Sequence, residues 1–234
     1  MSLFLKRFTA AAVVMLTVAP IAFAADPPPV VRNVRTILLV RHGHYVPDKV
    51  DSPLGPGLSP VGIAQAYLVA ARLRGMGRFD ALLASPMTRA HETARVIDEN
   101  LDSVKVEIVP DLAECTPRTR RKEIIAKEKP EAIAACEAKL DAIFKKLFVP
   151  ATGAERRDIL VCHGNVTRYL VTRALGVDTQ AWLEMSVAHA SITQIRIESD
   201  GGLKVSSVGD IGHIPPNLQT GSSGMADKEL VAPK

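Results

Sequence analysis

Thr36-Ile37-Leu38-Leu39-Val40-Arg41-His42-Gly43 and Asp158-Ile159-Leu160-Val161-Cys162-His163-Gly164 are two short apolar runs, and each ends in His-Gly. A run of four or five apolar residues between polar or turn-forming neighbours suits a strand buried on both faces, because neither set of alternating side chains meets water. Asp80 to Ala84 is a third such run, and Val104 to Val109 reads as a further strand. Helical periodicity fills the gaps. Ser59 can cap a helix that opens at Pro60, with Ile63, Ala66, Tyr67, Ala70 and Leu73 as its apolar stripe and Gly75 and Gly77 as its stop. A second helix is predicted from Pro86 to Asn100. A third follows Pro130 and carries Ile133, Cys136, Leu140, Ile143, Phe144 and Leu147; a fourth runs from Val166 to Leu175 and ends at Gly176. Ser191 to Glu198 and Leu203 to Val208 alternate on either side of Gly201-Gly202, the pattern of a terminal hairpin. Strands separated by helices predict a three-layer α/β/α sandwich with a mostly parallel central sheet.

The bulk numbers fit that plan. The chain has 234 residues, 47% hydrophobic and 23% charged, which suits one folded domain and not a disordered chain. Lys6 and Arg7 precede an apolar run from Ala10 to Ala24, and Ala22-Phe23-Ala24 places small residues where a leader is cut. The run is short for a bilayer span and Pro20 interrupts it, so a cleavable leader is favoured over a retained anchor. The expected plan is a leader over 1–24, a linker over 25–35, the folded domain over 36–216 and a mobile tail over 217–234. Export predicts a periplasmic or secreted protein with no stable membrane anchor after cleavage. Without Lys6 and Arg7 the net charge falls from +4 to +2, too even to imply nucleic-acid binding by bulk charge. An oxidising compartment would permit one disulfide, with Cys115 and Cys136 the pair considered for it; Cys162, in an apolar strand, reads as a buried filler. No Cys or His pair has zinc-ligand spacing.

Both His-Gly pairs fall just beyond strand ends, where ligands collect in open α/β sheets. One such histidine would read as structural; a matched pair, with Arg41 directly before His42, points to a site. Ser85-Pro86-Met87-Thr88-Arg89-Ala90 puts Arg89 in the first turn of a helix, where the dipole disfavours a cation unless the two together hold an anion. Arg41, Arg89 and His163 make a positive cluster beside a neutral His42, suited to a dianionic phosphate. Glu114, in the loop after Pro110, is the candidate proton donor. His44, His91, His189 and His213 read as structural or surface residues; only His189, just before the strand at Ser191, merits a test.

In order along the chain, Arg41-His42-Gly43, Ser85-x-x-x-Arg89-Ala90-x-x-Thr93, a Glu after the third strand and His163-Gly164 resemble the histidine phosphatase superfamily, which includes phosphoglycerate mutases. The likeness spans about Thr36 to Pro216. Met87-Thr88-Arg89-Ala90, Cys162-His163-x-Asn165-Val166-x-Arg168-Tyr169, Ala181-Trp182-Leu183, Ser191-Ile192-Thr193 and Gly209-Asp210-x-Gly212 are similar to a mitochondrial branch of phosphoglycerate-mutase-like Ser/Thr protein phosphatases. The resemblance implies a phosphoglycerate mutase-like fold and a phosphatase that needs no metal or organic cofactor. It makes His42 the nucleophile, Arg41, Arg89 and His163 the phosphate pocket with Gly43 and Gly164 beside it, and Glu114 the acid/base. The phosphate-side Asn that often follows Arg-His-Gly is not identifiable in His44-Tyr45-Val46-Pro47-Asp48. The expected substrate is a phosphorylated small molecule first, because exported phosphoproteins are few; a phosphoserine or phosphothreonine protein and phosphohistidine are the alternatives. A non-catalytic anion-binding protein on the same fold is the competing class, and it has no use for a nucleophile. The basic insert Cys115-Thr116-Pro117-Arg118-Thr119-Arg120-Arg121-Lys122 either steers or holds an anionic leaving group or is a solvated loop. The stretch between Glu114 and Pro130 is short for the lid a mutase needs, which favours hydrolysis.

Overall fold

Arg35–Arg41 forms the first strand, β1, and its residues from Thr36 to Val40 are buried, as a central strand requires. The computed structural model describes residues 33–47 and 52–221, all belonging to the compact unit Val31–Lys234. The predicted leader over 1–24 lies outside the described residues. After β1 come α1 (Pro60–Arg74), β2 (Ala81–Ala84), α2 (Thr88–Asn100), β3 (Val106–Ile108), the single turn α3 (Lys122–Ile125), α4 (Pro130–Leu147), β4 (Arg156–Cys162), α5 (Gly164–Leu175), β5 (Ile192–Ile197) and β6 (Leu203–Asp210). The sheet order is β3-β2-β4-β1-β5-β6. The first four strands in that order run parallel, and β5 and β6 add antiparallel on the far side as the expected hairpin.

Alternation along the strands divides the core in two. Leu38, Val40, Leu82, Ala84, Ile159 and Val161 pack with Val69, Ala70 and Leu73 of α1 and Ala90, Ala94 and Ile97 of α2. Ile37, Leu39, Leu83, Leu160 and Cys162 face the other way, onto Cys136, Leu140 and Ile143 of α4 and Val166 and Leu170 of α5. The result is the α/β/α sandwich that the apolar runs predict.

The departures from expectation are local and have causes. In α1 the buried face is Gly62, Gln65, Ala66, Val69, Ala70 and Leu73, whereas Ile63 and Tyr67 are 45% and 51% exposed. The helix is turned towards its two polar-looking positions because Gly62 packs against the backbone of Gly43 and His44, and Gln65 hydrogen-bonds inward. Helix α2 begins at Thr88, two residues later than predicted, with Ser85 and Pro86 still in the strand-end turn. Helix α5 begins at Gly164, two residues earlier, so His163 sits directly at its N-cap. Strand β3 is shorter than predicted and lies at the sheet edge, paired only with β2.

The folded part also exceeds the predicted limits of 36–216. The carbonyls of Asn33 and Val34 accept from Ala151 and Arg156 at 3.0 and 2.9 Å. The predicted mobile tail is corrected as far as Gly221: Thr220 is 3% exposed, and its carbonyl accepts from the His189 amide at 3.0 Å. Hydrogen bonds to its backbone and to the Thr220 hydroxyl, with Leu218 packed against the core, hold this segment.

The two helix faces predict opposite responses to truncation. Leu140→Ala, at a fully buried position, should lower unfolding free energy in urea by about 2–5 kcal/mol. Ile63→Ala should change it by no more than about 0.5 kcal/mol.

Candidate active site

The register of β1 against β4 pairs Arg41 with Cys162, so the next residue on each strand delivers an imidazole to the same edge. The His42 and His163 rings are 5.0 Å apart, and the two residues are 2% and 0% exposed. His42 Nδ1 lies 2.7 Å from its neighbour's carbonyl, Gly43 O, which fixes that nitrogen as the donor and leaves Nε2 with its lone pair. Arg89, projecting from the first turn of α2, donates from Nε to His42 Nε2 at 3.1 Å. Its guanidinium also lies 4.6 Å from the Tyr45 ring centre. His163 Nε2 is 2.8 Å from Ser85 Oγ, while its Nδ1 is buried with no hydrogen-bond partner among the described residues.

Glycine at position 43 is a packing requirement. A Cβ there would stand 2.5 Å from Gly62 O, and a Cβ on Gly62 would strike His44 O. At Gly164 a Cβ would meet the Arg168 and Arg41 guanidinium groups at 3.4–3.6 Å, so the backbone itself lies against two cations.

Arg41 is held from the opposite side. Its Nη1 donates to Val187 O at 2.6 Å and Gly221 O at 3.1 Å, and its Nη2 is 2.8 Å from His189 Nε2. Ala190 next to it has φ of 57°, the left-handed region, which costs a residue with a Cβ roughly 1–2 kcal/mol. Its amide is shared between Arg41 O and His42 O, both at 3.1 Å, so the strain is spent on tying the His189 turn to the end of β1.

Glu114 enters from a loop fastened at several points. Cys115 is joined to Cys136 of α4 by a disulfide, Lys139 Nζ donates to Ala113 O at 2.8 Å, and Asn165 Nδ2 donates to Cys115 O at 3.2 Å. Glu114 Oε1 is buried with no partner among the described residues. Burial pushes its carboxyl above the ordinary value, against the pull of Arg41 and Arg89 and of the Cys115 and Asn165 amides.

The electrostatics correct one expectation. His42 is held well below the usual histidine value by burial first, and then by His163, Arg41, Arg89 and His189. His163 is lowered in the same way, by burial, then Arg89, Arg41 and Lys139. Expected from the sequence as part of a positive cluster, His163 is shifted towards its neutral form, and the fixed charge belongs to the arginines.

The structure brings His42, Arg89 and His163 into contact, with Arg41, Gly43, Gly164 and Glu114 around them. Sequence reasoning missed Tyr45, Ser85, Arg168 and the Thr220–Gly221 segment. Ser85 and Arg168 stood inside quoted motifs without a role; Arg168 is 7% exposed and donates to Met185 O at 3.1 Å. His44 bonds the α1 cap Ser59 at 2.7 Å, His213 bonds Ala190 O at 3.0 Å, and His91 is exposed, so these three are structural or surface residues. The basic insert is largely neutralised: Arg120 pairs with Asp178 at 2.8 Å and Arg121 with Glu184 at 3.5 Å. Beside it, Arg118, Thr119, Lys122, Ile125, Ala126 and Gln180 line a cavity of about 310 Å³. Among the described residues no group of three or more His, Cys, Asp or Glu is placed to share a metal ion.

The model of the histidine phosphatase superfamily (branch 1) matches residues 37–141 and 117–210. The chain is 36% identical over 208 residues to the mitochondrial serine/threonine-protein phosphatase Pgam5 of Drosophila persimilis, covering 86% of this chain and 71% of that protein. It is 34% identical over 196 residues to the human protein of the same name, covering 80% and 66%. Among solved structures, phosphoglycerate mutase from Plasmodium falciparum superposes with a TM-score of 0.55 at 22% identity, covering 78% of this chain and 95% of that one. The alpha-ribazole phosphatase from Shigella flexneri gives 0.57 at 19%, covering 75% and 96%. These two establish the phosphoglycerate mutase-like fold. The expectation of a periplasmic or secreted protein is corrected here, because the curated relatives are mitochondrial by name. A basic start followed by a short apolar run describes an export leader, but that pattern does not by itself decide the compartment.

Gly43→Ala tests the close approach of the two backbones. The added methyl meets a carbonyl that has no side-chain freedom, so unfolding free energy should fall by about 1–3 kcal/mol in urea titration.

Proposed function

This chain belongs to branch 1 of the histidine phosphatase superfamily, and on that premise we propose that it hydrolyses phosphate monoesters by passing the phosphoryl group through Nε2 of His42. The observation that carries the reading is the state of that ring. It is buried, neutral, oriented by Gly43 O through Nδ1, and its lone pair on Nε2 is met by Arg89 at 3.1 Å.

A phosphate dianion entering between the rings displaces Arg89 from Nε2 and takes its N–H groups for the equatorial oxygens. Arg41, which lies against the Gly164 backbone, supplies further positive charge. Donors placed where charge develops are worth about 3–4 kcal/mol each in such a dry site. His163 is neutral before the substrate arrives; the dianion raises its affinity for a proton, so it can present a positive N–H to the transferring group. His42 Nε2 bonds to phosphorus as the ester P–O bond breaks, and Glu114 gives its proton to the departing oxygen. Water then attacks phosphorus, the N–P bond breaks, and the Glu114 carboxylate takes the proton from that water. Inorganic phosphate leaves and both residues return to their starting forms.

Hydrolysis is favoured over mutase chemistry because the segment between Glu114 and α4 contributes a single helical turn, α3, too little to retain and reorient a bound product. With the curated relatives mitochondrial by name, export no longer weighs against phosphoprotein substrates. The serine/threonine-phosphatase names of the relatives now favour phosphoserine or phosphothreonine side chains as the esters hydrolysed. Both are alkyl esters with poor leaving groups, for which a protonated Glu114 matters most.

Replacing Glu114 by Gln tests the assignment through the leaving group. Hydrolysis of an alkyl phosphate such as a phosphoserine peptide should fall by roughly 100- to 10,000-fold. p-Nitrophenyl phosphate, whose leaving group needs no proton, should be phosphoryl donor to His42 at nearly the original rate. Because the Glu114 carboxyl is raised, wild-type kcat/KM for the alkyl ester should persist above the ordinary glutamate range and fade as pH rises through the raised value. The acid-side loss from protonating His42 should lie well below pH 6.5. His42→Ala should abolish turnover of both substrates; wild-type activity in that variant would end the proposal.

A further inference from the structure

Four segments far apart in the chain meet behind Arg41 in a continuous hydrogen-bonded network that the phosphoryl-transfer steps do not use. His189 faces Arg41 with Nε2, at 2.8 Å from Nη2, and Thr220 with Nδ1, at 2.9 Å from Oγ1. Thr220 Oγ1 also accepts from Gln65 Nε2 at 2.9 Å. The same amide nitrogen donates to Leu218 O at 2.6 Å, and Gln65 Oε1 accepts from the His44 amide at 2.7 Å. Gln65, Thr220 and His189 are 0%, 3% and 6% exposed.

Direction along the network follows from chemistry. Arginine can only donate, so His189 Nε2 must accept and the ring proton must sit on Nδ1. That proton is donated to Thr220 Oγ1, whose second lone pair takes the Gln65 N–H. Arg41 therefore selects the tautomer of His189, and Thr220, whose hydroxyl can accept the Nδ1 proton, keeps that ring nitrogen paired. A ring with its proton on Nε2 would turn an N–H towards another N–H and drive the guanidinium away. Gly221 completes the arrangement: it has φ of 67°, its carbonyl accepts from Arg41 Nη1, and a Cβ on it would stand 2.5 Å from His189 Nδ1.

We propose that His189 and Thr220 are positioning residues: by holding the His189 ring, the segment 218–221 sets the direction in which Arg41 meets the transferring phosphate. The inference rests on the phosphate-binding role given to Arg41 above. Long flexible side chains lose considerable rotamer freedom when fixed, and misplacing a binding group by about 1 Å can lower a rate by roughly 100-fold. Holding Arg41 before substrate arrives removes that ordering step from the reaction.

The test is a double-mutant cycle on kcat/KM for p-nitrophenyl phosphate, with orthovanadate inhibition measured alongside. Thr220→Val keeps shape and removes the acceptor; it should lower kcat/KM by about 10- to 100-fold and weaken vanadate inhibition. Thr220→Ser, which restores the hydroxyl, should recover most of the loss. In an Arg41→Lys background, Thr220→Val should have little further effect, because the group it positions is gone. Equal losses in both backgrounds, or wild-type kinetics for Thr220→Val, would overturn the inference and leave the reading of Arg41 standing. Full activity of Arg41→Lys alone would overturn both. If Thr220→Val does not fold, the comparison of His189→Gln with His189→Leu replaces it: the amide oxygen can accept from Arg41, so Gln should retain clearly more activity, and equal activities would count against the proposal.

Discussion

Strands β1 and β4 pair in parallel with Arg41 opposite Cys162, and everything at the site follows from that register. It places the two residues that come next, His42 and His163, side by side at the carboxyl edge. A slip of one residue would exchange the faces of β1, sending Leu38 and Val40 to the α4–α5 side and Ile37 and Leu39 to the α1–α2 side. Both faces are apolar, so alternation alone does not forbid the slip. The end of β1 is anchored separately, where Gly43 meets Gly62 of α1 backbone to backbone.

Burial then decides the chemistry. Two imidazoles among arginines, out of water, cannot hold protons at neutral pH, and the largest cause in both is the loss of solvent, with the neighbouring cations acting in the same sense. The same loss of solvent acts on Glu114 with the opposite result, raising its carboxyl while the arginines oppose the shift. A histidine held towards its neutral form together with a carboxyl shifted towards its protonated form suits a nucleophile and a general acid. The environment makes both at once. Cys162, next to His163, is pushed up to about 12 by burial and stays a neutral thiol.

Much of this was legible in the residues. Apolar runs ending in His-Gly announced buried parallel strands and a shared edge, and the misfit of Arg89 in a helix's first turn pointed to an anion. What was not legible depended on partners distant in sequence. Gln65 looks like a surface residue on α1, yet its two amide ends are used by His44 and Leu218, 21 and 153 residues away. Thr220 and Gly221 have no apolar period, so their stretch looked like a tail; they are fixed by hydrogen bonds that only the folded chain reveals. His163 was given positive charge because histidine near arginine in sequence says nothing about the absence of water. The leader-like start was read as export, and the mitochondrial names of the relatives overturn that compartment.

The central claim is a nitrogen–phosphorus bond at position 42. Its most direct test is to quench the Glu114→Gln protein in alkali shortly after mixing with isotopically labelled p-nitrophenyl phosphate, then locate the label by peptide mass spectrometry. Phosphorylation proceeds there without a proton donor while hydrolysis of the intermediate is slowed. The account predicts acid-labile, alkali-stable label on His42. Label on any other residue, or continued turnover in a protein that never carries label on His42, would contradict it.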